Sequence, residues 1–219
     1  MRNLTKKFLT EADRKRIVES VKKVEKITSG EIVPMVVSSS YSYPLADVLG
    51  ALSIGSVIAV LVTLYVSYTK SWEGFTAYDL WTFPAVFSVS FVLFYFVVKL
   101  VLPLKRIFIS KEEMRHEVEE AALTSFYKHG LGNTRDKTGV LIYISVFERL
   151  AYVLADEGIN AKVNPDVWKE VVNRIIRGIK EKRQADGIVE AVKLCGDLLK
   201  ENFPIKPDDT DELENLIVD

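Results

Sequence analysis

Val48–Thr69 reads VLGALSIGSVIAVLVTLYVSYT, 22 residues without a charge, and Leu80–Val98 reads LWTFPAVFSVSFVLFYFVV, 19 more. At about 1.5 Å of rise per residue, two such helices reach roughly 33 and 28 Å, close to the roughly 30 Å hydrocarbon core of a bilayer. Neither run has a polar face at helical spacing, which a surface helix of a water-soluble protein would show. Both are therefore predicted to be transmembrane helices, with run ends at Val48, Thr69, Leu80 and Val98. The connector Lys70–Asp79 is too short for a domain, so the pair is predicted to form a hairpin.

Outward from the runs, the charges give a direction. The connector carries Lys70, Glu73 and Asp79, a net −1, whereas Lys99, Lys105, Arg106 and Lys111 follow the second run closely. Cytoplasmic flanks carry the excess of Lys and Arg, so the connector is expected outside and both soluble flanks inside. Asp47 is the dissenting charge, and acidic residues weigh little in that rule. Trp72, Tyr78 and Trp81 fit an interfacial aromatic belt, and Pro84 and Pro103 are expected near helix ends. No ionisable residue lies within either run, as a proton relay or transporter would require. An anchor is the expected role: a two-span protein of the plasma (bacterial inner) membrane with both termini cytoplasmic.

The remaining chain is ordinary in composition. The 219 residues carry 29 Lys and Arg against 30 Asp and Glu, yet residues 48–98 hold only three of these charges. The balance, with no basic block, leaves no electrostatic footprint for nucleic acid. One cysteine, Cys195, excludes an internal disulfide framework and any CxxC site. The start, MRNLTKKFLTEADRK, has no apolar h-region, so no cleavable signal peptide is expected.

Local signals divide the soluble part into elements. Thr10-Glu-Ala-Asp13 is a capping-box variant opening a helix with Ile17, Val21, Val24 and Ile27 on one face, stopped by Ser29-Gly30. Glu31–Ser38 (EIVPMVVS) is β-branched and predicts a strand, with Pro34 marking an edge or bulge. Ser110-Lys-Glu-Glu113 opens a helix carrying Met114, Val118, Ala121, Ala122 and Phe126. Thr138–Ser145 (TGVLIYIS) predicts a central strand covered on both faces, and Phe147-Glu148-Arg149 turns into a hairpin partner at Ala151–Ala155. Asn164-Pro165 opens a helix with Trp168, Val171, Val172, Ile175 and Ile179. Asp186 opens the last, with Ile188, Ala191, Val192, Cys195 and Leu199. Pro207–Asp219 holds six acids and no base and reads as a mobile or docking tail.

One helix and one strand cannot bury a core alone. The N-terminal and C-terminal pieces are therefore expected to form one α/β domain, helices on both faces of a small mixed sheet, interrupted by the hairpin. The boundaries are 1–43 for the first piece, 44–104 for the hairpin, 105–206 for the remainder and 207–219 for the tail. An even number of spans leaves both pieces on one side of the membrane.

Several motifs fail for want of partners. Ser125-Phe-Tyr-Lys128 and Lys137-Thr138-Gly139 resemble penicillin-binding elements, but they are nearly adjacent and the Ser-Asp-Asn element is missing. Glu113-Met-Arg-His116 has di-metal spacing in a single copy, and a solvated helix face explains it better. Gly130-Leu-Gly132 lacks the strand and Lys of a phosphate loop and reads as the stop of a helix. The acids at predicted element ends (Glu31, Asp136, Glu148, Asp156, Glu157, Asp186) carry more interest, because strand ends of one sheet can converge on a hard cation. Asp136, Asp156, Glu157 and Asp186 are the candidate ligands, for Ca2+ or Mg2+.

The order of segments resembles the TPM domain family. It is carried by Thr28-Ser-Gly-Glu-Ile32 before a strand and by Leu131-Gly-Asn-Thr134 before Thr138-Gly-Val-Leu-Ile-Tyr-Ile-Ser145. Glu148-Arg149 in the turn, Ala155-Asp-Glu-Gly-Ile159, Asp186-Gly-Ile188, and Phe203-Pro204 with Asp208-Asp209 and Asp211-Glu-Leu213 complete it. The last of these fits the membrane-anchored bacterial branch. The resemblance implies an α/β sandwich; plant relatives in the thylakoid lumen are associated with acid phosphatase activity, bound Ca2+ and photosystem repair. Two functions are therefore expected to compete. One is an interaction or assembly module for another membrane protein, compatible with a homo-oligomer. The alternative is a metal-dependent phosphatase-like hydrolase.

Overall fold

The computed structural model describes residues 4–70, 77–164, 166–205 and 213–219. Trp72, Pro165 and the acids at 208–212 lie outside the described residues, as does the side chain of Tyr78. The chain forms two compact units: Met1–Tyr41 with Met114–Asp219, and Ser42–Glu113.

The first unit is the sheet unit. A short helix α1 (Thr5–Phe8) precedes α2 (Glu11–Glu25), which begins at the expected capping box: Thr10 Oγ accepts from Asp13 N–H, and Asp13 accepts from Thr10 N–H. Strand β1 (Glu31–Val37) leads into the second unit, which contributes α3 (Pro44–Thr69), α4 (Ala77–Leu100) and α5 (Leu102–Ile107). The chain returns through α6 (Lys111–Lys128), whose Glu113 N–H is capped by Ser110 Oγ at 3.0 Å, and a 3-10 turn at Leu131–Asn133. Then follow β2 (Gly139–Ser145), β3 (Leu150–Ala155), α7 (Glu157–Asn160), α8 (Asp166–Lys180), α9 (Gln184–Asn202) and β4 (Ile217–Val218). Asn164 Oδ1 accepts from Asp166 N–H ahead of α8.

Among the described residues the sheet order is β3-β2-β1-β4, with β1 parallel to β2 and β4 and β2 antiparallel to β3. A parallel neighbour requires a crossover, and the hairpin sits inside that crossover together with α6. Strand β2 is buried along its whole length, as expected of a strand covered on both faces. One face packs Ile32, Val36, Val140, Ile142 and Ile144 against Ile17, Val21, Val171, Ile175, Ile188 and Val192 of α2, α8 and α9. The other packs Val33, Met35, Leu141 and Tyr143 against Val118, Ala122 and Phe126 of α6. Each such side chain contributes about 1.5–3 kcal/mol on burial, which makes this two-faced core the main stabilising term.

Three details differ from the sequence expectation. The tail does not stay apart: its last residues form β4, pairing Met35 with Ile217 and Val36 with Val218. That strand occupies only part of the β1 edge. Glu31 N–H bonds Thr138 O on the β2 side, so alternation turns Pro34 towards the opposite side, ahead of the residues β4 reaches. Among the described residues, none pairs with Pro34 as a strand partner on that side, which suits a residue without an N–H. Ile27, predicted in the apolar stripe of α2, follows the end of the helix and is exposed.

In the hairpin unit, α3 and α4 are both long and apolar enough to cross a membrane. They meet along small residues of α3: Ala46, Gly50, Ala51, Gly55 and Ala59 are buried, while Leu45, Leu49, Leu52, Val60, Leu61 and Leu64 face outward. A side chain at Gly55 would reach the backbone of Phe91 at 3.3 Å, so its absence sets the helix spacing. The hydroxyls of Ser53, Ser88 and Ser90 donate to carbonyls of their own helix at 2.5–2.7 Å, leaving those donors paired without water. Pro84 lies in the second turn of α4 rather than at its end, because the helix begins at Ala77.

Candidate functional site

The register gathers most of the predicted acids at one end of the sheet. Glu31 pairs with Gly139, and Asp156 N–H bonds Gly139 O at 2.9 Å, so the start of β1, the loop before β2 and the end of β3 share that end. Asp156 caps α7, its Oδ1 accepting from Glu157 N–H at 2.7 Å, while its Oδ2 is buried without a hydrogen-bond partner. A side chain at Gly158 would come within 2.6 Å of Lys137 O, so glycine is what lets this turn lie against the loop holding Asp136. Asp136 is 4.0 Å from the guanidinium of Arg135, and the exposed Glu157 is 3.6 Å from Lys137 Nζ.

Asp186 is placed elsewhere. It sits in the first turn of α9 and joins Arg16 of α2 at 2.5 Å, with Arg183 at 3.7 Å. The hydrogen bond from Arg16 holds its carboxyl below the usual carboxylate range. Its geometry is that of a clasp between two helices. Among the described residues no three His, Cys, Asp or Glu side chains form a group that could hold a metal ion.

Glu148 goes to the opposite end of the sheet, and there a polar cluster forms that the sequence did not announce. Although it lies in the β2–β3 turn, Glu148 is 1% exposed. Its Oε1 accepts from Ser40 N–H at 3.0 Å and lies 3.1 Å from Ser39 Oγ; its Oε2 accepts from Ser145 Oγ. Ser40 Oγ and Tyr143 OH are 3.2 Å apart. Burial raises the Tyr143 pKa, and the negative charges of Glu148 and Asp219 add to that rise. Ser38 extends the cluster: its Oγ accepts from Leu4 N–H at 3.1 Å, and its own N–H donates to Asp219 O.

Sequence reasoning named Glu148 but missed Ser38, Ser39, Ser40, Tyr143 and Ser145. The available signal was the serine triplet directly before an apolar run, matched by Ser145 at the end of the central strand. Chemically, the arrangement is a buried carboxylate neutralised by dipoles. It fixes the segment 38–40, the link from the sheet to the hairpin, to the β2–β3 turn.

Another buried acid belongs to the hairpin unit. Asp47, 4% exposed, lies 2.9 and 3.0 Å from the ammonium of Lys105 through its two oxygens, and Lys105 also donates to Ser42 O at 2.6 Å. The dissenting charge of the sequence is thus paired inside the protein. The basic collar is reduced to Lys99, Arg106 and Lys111.

Comparison with known proteins agrees with this architecture. Residues 105–198 match the family model of the TPM domain, a span from α5 into α9 that includes β2 and β3 but not β1. No curated protein matches the sequence. Among solved structures, the NMR structure of the BA42 protein from the psychrophilic bacterium Bizionia argentinensis covers 97% of this chain and 96% of its own, with 23% identity and a TM-score of 0.58. At that identity the likeness shows the fold alone. The matched span 105–198 is thus similar to a TPM domain, and in this fold β1, from the other side of the hairpin, pairs with its central strand.

Proposed function

We propose that this protein is a two-span anchor carrying a cytoplasmic TPM domain that serves as an interaction or assembly module for another protein of the bacterial inner membrane. The observation that carries the reading is the hairpin: small residues inward, large apolar residues outward, and serine hydroxyls bonded within their own helices. Such a surface is costly in water and matched to lipid. Lys99, Arg106 and Lys111 support a cytoplasmic sheet unit, and Trp81, exposed near the start of α4, suits the outer interface.

The fixed link at Ser38–Ser40 supports an assembly role, since it ties the anchor's entry to the sheet unit without occupying the remaining surface. Topology is tested with reporters at the C-terminus and within Lys70–Asp79. A fluorescent C-terminal fusion and an externally active connector fusion are expected; the reverse pattern overturns the orientation. Function is tested on the full-length protein in nanodiscs. Specific, stoichiometric co-purification of one membrane protein is expected, without phosphatase turnover. Turnover that requires Ca2+ or Mg2+ and is lost in Asp156→Ala supports the hydrolase instead.

A further inference from the structure

Strand β3 ends the sheet, and its outer edge is unusual. Leu150–Ala155 (LAYVLA) carries no charge, proline or glycine, the devices that ordinarily protect an edge strand, and every residue in it is half-buried. The phase of its hydrogen bonds follows from one contact: Asp156 N–H bonds Gly139 O, so Leu154, Tyr152 and Leu150 face β2. The backbone groups of Ala151, Val153 and Ala155 therefore face outward. Asn160 Nδ2 caps the carbonyl of Ala155 at 2.6 Å, and among the described residues no strand pairs with the others.

We propose that this edge binds a second copy of the same chain, β3 pairing antiparallel with β3 about a two-fold axis at Val153. An isologous pairing of identical strands must be antiparallel, and the register centred on Val153 is the one that sets all three outward-facing residues of β3 opposite one another. Val153 meets Val153 of the other copy, and the Ala155 N–H meets the free carbonyl of Ala151. Between these pairs, Tyr152 comes beside Leu154, covering half-exposed apolar area on the α6 face. Beyond the strand ends, the same register brings Arg149, in the β2–β3 turn, near Glu157, the first residue of α7, of the other copy, twice over. Both are exposed, and Arg149 is held at a positive φ of 57° in the turn. A neutral strand flanked by a cation in the preceding turn and an acid at the start of the following helix is complementary to itself in this register.

The inference deepens the module reading, which it takes as its premise, yet its failure is separable: a monomer would leave topology and partner capture untouched. The experiment uses the full-length protein in nanodiscs or native membranes. Cys195, buried with its thiol pushed up to about 12, stays silent in cross-linking. Oxidation is expected to link Val153→Cys to itself, while Ala151→Cys and Ala155→Cys link only when copies bearing each are mixed. Arg149→Glu or Glu157→Arg should weaken the dimer roughly tenfold by fluorescence self-association, and the double reversal should restore it. A monomeric wild type, equal self-linking at 151, 153 and 155, or a dimer indifferent to both reversals overturns the proposal. Unchanged circular dichroism of each variant separates loss of pairing from loss of fold.

Discussion

The sheet unit and the hairpin unit each bury a carboxylate, and they neutralise it differently. Glu148 is surrounded by a backbone N–H and serine hydroxyls, whereas Asp47 is matched by one cation, Lys105. The sheet unit can supply dipoles because strand ends and turns leave backbone and hydroxyl donors free at the sheet end. In the hairpin, Ser53 and Ser90 bond carbonyls of their own helices, and Asp47 receives instead the full opposite charge of Lys105. The difference teaches that the surrounding architecture, rather than the acid, selects the form of compensation.

The sharpest way to break the comparison is Lys105→Met. It leaves Asp47 buried and unmatched, and should cost about 3–5 kcal/mol, read as loss of thermal stability in micelles; Asp47→Leu with Lys105→Met should recover most of it. A single variant as stable as wild type would show that Asp47 reaches water. Glu148→Ala should cost less, about 2–3 kcal/mol, by leaving the donors at Ser40 and Ser145 without their acceptor, while Ser39 keeps Tyr41 O. Glu148→Gln, which keeps one oxygen and lets hydroxyls turn, should lose only about 1 kcal/mol by denaturant unfolding. If the two substitutions cost the same, the negative charge matters more than the hydrogen bonds.

Gly55→Leu tests the hairpin's other device, close approach. The added side chain meets backbone at 3.3 Å, and a loss of about 1–2 kcal/mol is expected, whereas Leu61→Ala on the outward face should change little. The smallest effect belongs to the surface. Arg16→Ala should let the Asp186 pKa rise towards its ordinary value in an NMR titration. Because that pKa is lowered in the folded protein, its stabilising contribution is present above the unfolded carboxylate pKa and fades as pH falls through the folded one. The acid-side stability difference between wild type and Arg16→Ala should therefore narrow on acidification and with added salt.

Much of this was legible beforehand. Thr10 and Ser110 announced their helices, TGVLIYIS announced a strand covered on both faces, and the two uncharged runs announced the hairpin. These signals are local, set by caps and periodicity within a few residues. Strand β4 was not legible, since two residues at the end of an acidic tail have no period to read; β1 captures them because its edge is open there. The candidate acids were legible as acids at element ends, but their distribution was not. Asp136, Asp156 and Glu157 share one end, Glu148 goes to the other, and Asp186 turns to Arg16.

By itself, then, the sequence determined the elements and the places where the chain leaves the sheet unit and returns to it. Hydrophobic spacing and capping chemistry act over one or two helical turns, and so are written in neighbouring residues. Only the tertiary structure decided which polar groups answer one another. Ser40 lies 108 residues from Glu148, and Lys105 lies 58 from Asp47. Burial demands that each carboxylate find compensation, yet the demand does not name the partner; the fold does, by bringing it within 3 Å.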